Sequence, residues 1–318
     1  MTPVFITVDT ELMWRHYAAG LGVDDICARS IDPAGVGIGY QLAKLEEHRL
    51  KAVFFVDPMP AKVFGIAVFA RLVDRILSAG QEVQLHLHPN WQGASANCRS
   101  SADPFELTAY SRVVQEAMIA DARALLIAAG APHPIAFRAG SYAANDDTIN
   151  ALAALGFVYD ASHNGSHAPW PSAISLPSST IAPGLHRGVV VLPVTLIHDH
   201  ADQLRHFQIC ALSADEMRAA LDHALAAHHA AVNIVSHGFE LATRCGTQVN
   251  RVHRTRFDAL CAMLDERRSV LPTFHFGDRP LLRLGQPDLP LGPDLLRMGR
   301  RHVEQLWSNL VEESPVRG

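Results

Sequence analysis

Short β-branched segments alternate with amphipathic segments along most of the chain, and this alternation constrains the fold more than any other feature. The predicted strands are Val4–Asp9, Ala52–Val56, Glu82–His88, Ile135–Arg138, Phe157–Asp160, Val189–Val194 and Val232–Val235, with Val270–Phe274 as a candidate eighth. Apolar residues three and four positions apart predict helices over Val36–His48, Ala67–Ala79, Leu107–Ala129, Asp146–Leu155, Asp215–His228 and Arg256–Arg267. Repeated strand–helix units predict a parallel sheet with right-handed crossovers, covered on both faces.

Local signals define several helix ends. Gly80, Gly130 and Gly156 each follow a predicted helix, where glycine commonly ends a helix in a left-handed conformation. Ser213 and Glu216 have the spacing of a capping box at a helix start. We expect one α/β domain over residues 1–280, followed by a proline-rich linker and an amphipathic helix over residues 281–318.

An open doubly wound sheet and a closed barrel both satisfy this pattern. The sequence has neither a G-x-G-x-x-G after the first strand nor a P-loop motif, so it does not favour a nucleotide-binding α/β fold. The formal net charge of −5 provides no general electrostatic attraction for DNA or RNA, so we expect no nucleic-acid partner.

Cysteine usage and hydropathy predict a cytoplasmic protein. The five cysteines are widely spaced and form no C-x-x-C pair, which argues against a disulfide framework and favours a reducing compartment. A strand-like segment begins at Val4, and no apolar stretch reaches 18 residues. We therefore expect neither a signal peptide nor a transmembrane segment.

Polar residues fall where the predicted strands end. In parallel barrels the catalytic groups lie at the carboxyl ends of the strands. The residues at these ends are Asp9 and Glu11, His86 and His88, Arg138, Asp160, His198 and His200, and His237. Their number at one edge predicts an active site there.

Two of these strand ends have the spacing of a metal site. His86 and His88 are two residues apart, as are Asp9 and Glu11, so within a strand each pair points to one face. Two imidazoles and a carboxylate can bind a divalent ion that activates water. Alternatively, each histidine on its own is an ordinary polar residue at the edge of the sheet.

Five ordered motifs resemble the NodB-type polysaccharide deacetylases of carbohydrate esterase family 4. They are Thr7–Glu11, Gly80–His86, Phe137–Tyr142, Gly156–Asp160 and Val232–His237. The segment His86–Trp91 is similar to the branch associated with lipopolysaccharide and O-antigen biosynthesis. The resemblance implies an irregular (β/α)7 barrel and metal-dependent removal of an N-acetyl or similar acyl group from a sugar of a surface polysaccharide or its precursor.

The resemblance also implies roles for individual residues. Asp9 matches the catalytic base, Arg138 the arginine that pairs with the base, and His237 the catalytic acid. Asp160 matches an acid that stabilises the charged network. The backbone at Ser141, together with Tyr142, matches the site of the oxyanion.

Two departures from the family pattern fall on the metal ligands, where Thr10 and Asn90 replace an aspartate and a histidine. We expect Glu11, His86 and His88 to bind the divalent ion, zinc or another first-row metal, with Asn90 as an oxygen donor or a neighbour of the ligands. The departures also permit a metal-independent amidohydrolase of the same fold that acts on a non-acetyl amide. A catalytically silent carbohydrate-binding protein is a third alternative. The presence of Asp9, Arg138 and His237 argues against it, because a binding protein does not need these three residues together.

The expected partner is a carbohydrate. Trp91 and Tyr142 are candidate platforms for a sugar ring, and His198 and His200 are candidate substrate contacts or ordinary loop histidines. In the last segment, an apolar stripe and a basic start predict an amphipathic helix over Leu295–Val311. Such a helix packs against its own domain or a second subunit, or it lies on a membrane surface.

Overall fold

The computed structural model describes residues 1–95, 104–200 and 203–313, so Cys98 lies outside the described residues. The strands are β1 (Val4–Thr10), β2 (Ala52–Val56), β3 (Glu82–Leu87), β4 (Ala136–Ala139), β5 (Tyr159–Asp160), β6 (Gly184–His186), β7 (Val189–Val191), β8 (Leu196–His200), β9 (Gln203–His206) and β10 (Val232–His237). The helices are α1 (Trp14–Ala18), α2 (Val23–Ser30), α3 (Ile38–Glu47), α4 (Ala61–Phe64), α5 (Ala67–Ser78), α6 (Arg112–Ala128), α7 (Asp146–Ala154), α8 (Ala214–Ala226), α9 (Arg251–Glu266) and α10 (Leu295–Trp307).

The main sheet contains eight strands in the order β10-β1-β2-β3-β4-β5-β7-β6. All neighbours from β10 to β7 are parallel, and only β6 runs antiparallel, against β7. The sheet curls into a half-barrel with helices on its outer side. The predicted irregular (β/α)7 fold is therefore confirmed.

An irregular segment joins the two ends of this half-barrel. Thr195 donates its backbone N–H to the carbonyl of Asn233 at 3.1 Å, and Asn233 donates through Nδ2 to the carbonyl of Leu192 at 3.1 Å. Further along, Ile209 donates to the carbonyl of Val235 at 3.2 Å. Residues 192–195 and 207–209 thus lie along β10, where a regular barrel would have another strand, while β8 and β9 pair only with each other in a separate sheet.

The predicted helix ends are physically explained by their caps. Gly80, Gly130 and Gly156 have φ values of 71°, 99° and 78°, a left-handed conformation that glycine adopts without a steric cost. The Ser213–Glu216 capping box is present at the start of α8.

Three predicted elements differ most from the structure. Val270–Phe274 is not a strand, and among the described residues it contributes a single isolated bridge, which joins Thr273 to Val4. Arg112 begins α6, because Leu107–Ala109 forms a separate 3-10 turn. Arg251 begins α9, five residues earlier than predicted, because Asn250 caps it by accepting a hydrogen bond from the backbone N–H of His253 at 3.1 Å.

The interior of the half-barrel is apolar at one end and charged at the other. Phe5, Phe55 and Phe276 fill the amino-terminal end, with the rings of Phe5 and Phe276 5.0 Å apart. Because side chains alternate along a strand, Phe5 and Asp9 of β1 face the same interior. The sheet therefore carries Asp9 above a packed aromatic layer.

The C-terminal helix narrows the partners predicted for its apolar stripe, which were its own domain, a second subunit or a membrane surface. Its apolar residues Val303, Leu306 and Trp307 are exposed, so the stripe does not pack against its own domain. Arg301, on the opposite side, is buried. Among the described residues, no helix combines the length and the hydropathy needed to cross a bilayer.

Candidate active site

Sheet register places four polar side chains inside the carboxyl end of the half-barrel. Asp9 of β1 is paired with His237 of β10, and His86 of β3 is paired with Arg138 of β4. Side chains at paired positions of neighbouring parallel strands point to the same face. The main chain itself therefore brings the four residues together.

Asp9 and Arg138 form a buried ion pair. The Nη1 atom of Arg138 lies 2.8 Å from Oδ1 of Asp9, and Arg138 is completely buried. The guanidinium lies over the ring of Phe55, 4.6 Å from its centroid, and donates through Nε to the carbonyl of Ala161 at 3.1 Å. Burial raises the pKa of Asp9, but Arg138 and then the His86 and His237 imidazoles outweigh it and lower the pKa below its usual value. Asp9 is therefore ionised.

His237 faces Asp9 across a gap. Its Nε2 lies 3.9 Å from Oδ2 of Asp9, and its Nδ1 lies 3.2 Å from Nε2 of Gln208. Gln208 also donates through Nε2 to the Glu240 carboxylate at 2.7 Å. This contact fixes the orientation of the Gln208 amide, because the flipped amide would place its carbonyl oxygen against a carboxylate oxygen of Glu240. His237 Nδ1 is thus an acceptor. In the neutral ring the proton lies on Nε2, the atom directed towards Asp9.

Glu11, His86 and His88 form a cluster of metal-ligating atoms, all within 4.8 Å of one another. His86 donates through Nδ1 to the carbonyl of Arg138 at 2.8 Å, so its Nε2 keeps a lone pair 3.7 Å from the Glu11 carboxylate. His88 contacts the same carboxylate oxygen through Nε2. A hydrogen bond from the far ring nitrogen typically orients metal-binding histidines in this way.

The charges in this cluster are strongly coupled. Burial raises the pKa of Glu11, but His88 and His86 outweigh it and hold the pKa well below its usual value. Burial lowers the pKa of His88, but the Glu11 carboxylate outweighs it and raises the pKa to about 9. His88 therefore forms an ion pair with Glu11, and it would have to release its proton to bind a metal ion.

The residues present fit a divalent metal ion. Two imidazoles and one carboxylate are a donor set that first-row divalent metals accept. Asn90 is buried, and its Oδ1 has no hydrogen-bond partner among the described residues. Gly140 allows the close approach of His88, since a Cβ at position 140 would lie 2.4 Å from His88 Nδ1. Thr10 does not take part, because its hydroxyl donates to the carbonyl of Val8 at 3.2 Å.

Asp57 is a third buried carboxylate beside these histidines, and the sequence analysis missed it. Its Oδ1 accepts a hydrogen bond from the backbone of Met59 at 3.0 Å, while its Oδ2 has no partner among the described residues. Burial raises its pKa to about 6, although His88 and His86 act to lower it. The position of Asp57 in the sequence is a usable signal, because Asp57 directly follows the end of β2 in the same way that Glu11 directly follows the end of β1.

Asp160 acts on the site through the end of β4. It accepts hydrogen bonds from the Ser162 hydroxyl at 2.6 Å and the Ser162 backbone at 3.0 Å. The same hydroxyl oxygen accepts from the backbone of Ala139 at 2.9 Å. Within the described ranges, Asp160 forms no ion pair with Arg138. Burial raises the pKa of Asp160 to about 6.

Ser141 and Tyr142 form a strained turn directly after β4. Their φ values are 55° and 58°, in the left-handed region that side chains other than glycine rarely adopt, at a cost of roughly 1–3 kcal/mol each. The Tyr142 hydroxyl donates to Oε1 of Gln208 at 3.4 Å. The turn that was predicted to hold the oxyanion is therefore connected to the partner of His237.

Trp91 does not serve as a sugar platform. It is only 1% exposed and packs against Trp14, Tyr17 and Phe64 at ring distances of 4.9, 5.1 and 6.0 Å. These partners come from segments before and after β2, so the burial follows from tertiary packing. The prediction for Trp91 is wrong, because the indole presents no free face to a ligand.

His198 and His200 lie on β8, which pairs with β9 in a separate two-stranded sheet, and not at the carboxyl edge of the main sheet as predicted. The backbone N–H of His198 bonds to Leu291 in the C-terminal segment. The residue that this hairpin contributes near the site is His206, whose ring lies 6.2 Å from Tyr142. Sequence spacing provides no signal for His206, because the return strand was not predicted.

A cavity of about 310 Å³ opens beside His237. Arg15, Phe239 and Glu240 line it on the barrel side, and Gln305 and Ser308 line it on the side of the C-terminal helix. Its volume is at the lower end of the range for small-molecule pockets. His237 is therefore next to a space that can hold a ligand.

The fold is that of the NodB-like polysaccharide deacetylases of carbohydrate esterase family 4. The structure is similar to a protein from Mycobacterium smegmatis described as a polysaccharide deacetylase, with a TM-score of 0.58 and 16% identity over 91% of this chain and 95% of that one. It is also similar to a family 4 carbohydrate esterase from Streptomyces lividans in complex with acetate. That comparison has a TM-score of 0.45 and 13% identity, and it covers 92% of this chain and 98% of the other. No protein-family model and no curated protein matches the sequence.

Proposed function

We propose that this protein is a metal-dependent hydrolase that removes an N-acetyl or similar acyl group from a sugar of a surface polysaccharide or its precursor. One observation carries the proposal. Asp9 and His237 face each other at 3.9 Å, next to the Glu11–His86–His88 donor set. The fold shared with polysaccharide deacetylases supports it. The cytoplasmic location and the lipopolysaccharide branch stay predictions.

Glu11, His86 and His88 would hold the divalent ion, with Asn90 as a further oxygen donor. Two imidazoles and one carboxylate favour zinc as this ion. The bound ion would polarise the acyl carbonyl and lower the pKa of the attacking water. The carboxylate of Asp57 would add negative charge beside the histidines.

The other residues supply proton transfer and charge stabilisation. Asp9 accepts the proton of the water whose oxygen attacks the acyl carbon, and Arg138 keeps Asp9 ionised and oriented. The backbone at Ser141 and Tyr142 stabilises the negative charge that develops on the carbonyl oxygen. His237, in its imidazolium form and with the Glu240 carboxylate 4.0 Å from its Nδ1, donates the proton on Nε2 to the sugar nitrogen as the C–N bond breaks. This leaves a neutral imidazole, a carboxylic acid and a free amine.

The proposal is tested by measuring acetate and formate release from N-acylated amino sugars, with and without a chelator. Asp9→Asn and His237→Ala should each lower kcat by about 10²–10⁴-fold, the usual contribution of a general acid or base. The exposed histidine His133 is the matched control, and His133→Ala should retain wild-type kcat. Circular dichroism checks that each variant is folded.

The outcomes separate the alternatives. Near-wild-type release by either site variant would refute the assigned roles. Release that a chelator does not reduce would refute metal dependence and favour the metal-independent amidohydrolase. Sugar binding without release by the metal-loaded wild type would favour the carbohydrate-binding protein.

A further inference from the structure

The C-terminal helix α10 has its polar face turned inward and its apolar face turned outward. Arg301, on the inner face, is buried and bonds to Asp199 and, at 3.0 Å, to Oε1 of Glu216. Glu304 accepts a hydrogen bond from Arg256 at 2.8 Å. Charged contacts with α8, α9 and β8 therefore fix the rotation of the helix about its own axis.

The outer face of α10 consists of large apolar side chains. Leu296, Val303 and Trp307 are 79%, 68% and 60% exposed, and Leu295 and Leu306 are exposed as well. Soluble proteins rarely leave a continuous apolar surface of this kind in water unless it binds something. We call these five residues, together with Gly299, the α10 apolar face.

The spacing on this face is that of a helix–helix contact. Leu296, Gly299, Val303 and Leu306 follow each other at intervals of three, four and three residues, as at the contact positions of a two-stranded coiled coil. Glycine in mid-helix is destabilising. Apart from its chain neighbours and the backbone of α10 itself, no heavy atom of the described residues lies within 4 Å of the position that a Cβ of Gly299 would take. Nothing within the described chain requires a glycine here, whereas a second helix crossing at this point would.

The size of the face matches what a stable dimer needs. From their exposed fractions, the five large side chains present roughly 700 Å², and a standard interface buries about 800 Å² per partner. A groove on the same face, lined by residues that include Leu295, Gly299 and Val303, offers room for the side chains of a partner.

The charges around the face favour a protein partner over an anionic membrane. Between residues 294 and 313, Asp294, Glu304, Glu312 and Glu313 outnumber Arg297, Arg300 and Arg301. The three arginines are also paired: Arg297 with Asp294 at 3.5 Å, Arg300 with Asp215 at 2.8 Å, and Arg301 as described above. Helices that bind anionic lipids carry surplus Lys and Arg on the polar face. This helix has no such surplus, and the whole chain carries a formal charge of −5.

We propose that the α10 apolar face pairs with the same face of a second copy of this chain, in a symmetric contact that crosses near Gly299. A two-fold contact requires a surface that is complementary to itself, and an apolar face with a central glycine satisfies this requirement. Because Gln305 and Ser308 line the cavity beside His237, the dimer would also hold one wall of that cavity in place.

The test is the molar mass of the full chain in solution, measured by light scattering during size-exclusion chromatography and by sedimentation velocity. The wild type should be a dimer. Val303→Glu and Leu306→Glu should each raise the dimer Kd by at least about 100-fold, because each would bury an unpaired charge. Both side chains are exposed in the single chain, so circular dichroism should show that both variants are folded. Leu281→Glu, at a residue that is 96% exposed outside the face, should leave the dimer intact.

A further variant probes the centre of the contact. Gly299→Leu introduces bulk where the helices cross, so it should weaken the dimer although leucine favours a helix. The proposal is overturned if the wild type is a monomer or if the dimer survives both glutamate variants. A monomer that sediments with vesicles of phosphatidylcholine and phosphatidylglycerol would show that a lipid surface covers the face instead. These readouts do not depend on catalysis, so the dimer and the proposed function can fail separately.

Discussion

The buried pair of Asp9 and Arg138 should contribute to stability as a coupled unit. The two groups are 2.8 Å apart, and their side chains are 5% and 0% exposed. Removing one partner leaves the other charge buried, which typically costs about 3–5 kcal/mol. Arg138→Met and Asp9→Asn should therefore each lower the free energy of unfolding by about that amount. The double variant leaves no unpaired charge, so its loss should be smaller than the sum of the single losses by about 2–3 kcal/mol.

Urea unfolding followed by circular dichroism measures this coupling, with a chelator in every sample so that bound metal does not contribute to stability. The exposed pair of Lys51 and Asp278 provides the matched control cycle, since its charges are 2.9 Å apart but largely in contact with water. We expect a coupling below about 1 kcal/mol there. A coupling for Asp9 and Arg138 no larger than that of the control pair would refute the reasoning.

Two further variants test separate parts of the site. Gly140→Ala would place a methyl group 2.4 Å from His88 Nδ1, so the ring must move away from Glu11. Zinc affinity, measured by competition with a chromophoric chelator, should fall about 10–100-fold, and Gly292→Ala, where a Cβ meets open space, should leave it unchanged. Equal affinities in the two variants would contradict the proposed ligand geometry. Asp160→Asn tests the buried carboxyl whose pKa is raised to about 6 from 3.8. The folded state binds this proton more tightly than the unfolded state does. As the pH rises from about 4 to about 7, the free energy of unfolding of the wild type should therefore fall by up to about 3 kcal/mol relative to that of the variant. Parallel pH curves of unfolding free energy would show that Asp160 does not titrate in this way.

The strand ends could be predicted because they depend on local patterns. A β-branched run followed by a polar residue marks the carboxyl end of a strand, and parallel strands bring such ends to one edge. This pattern alone predicts that Asp9, His86, Arg138 and His237 lie at one edge of the sheet.

Other features depend on contacts between distant segments, which local patterns do not contain. Trp91 is buried because Trp14 and Tyr17 cover it from a region about 75 residues earlier in the sequence. Gln208 orients His237 from an irregular segment that has no periodicity. The rotation of α10 is set by Asp199 and Glu216, far from the helix in sequence.

The pairing of Asp9 with His237 in neighbouring strands has an evolutionary consequence. The spacing between these two side chains is maintained by main-chain hydrogen bonds of the sheet, and those bonds do not depend on which amino acids occupy the surrounding loops. Descendants of this gene could lengthen, shorten or rewrite the surrounding loops without changing the position of Asp9 relative to His237. Selection for a new ligand would then act on the loops, while the two strands pass unchanged from one specificity to the next.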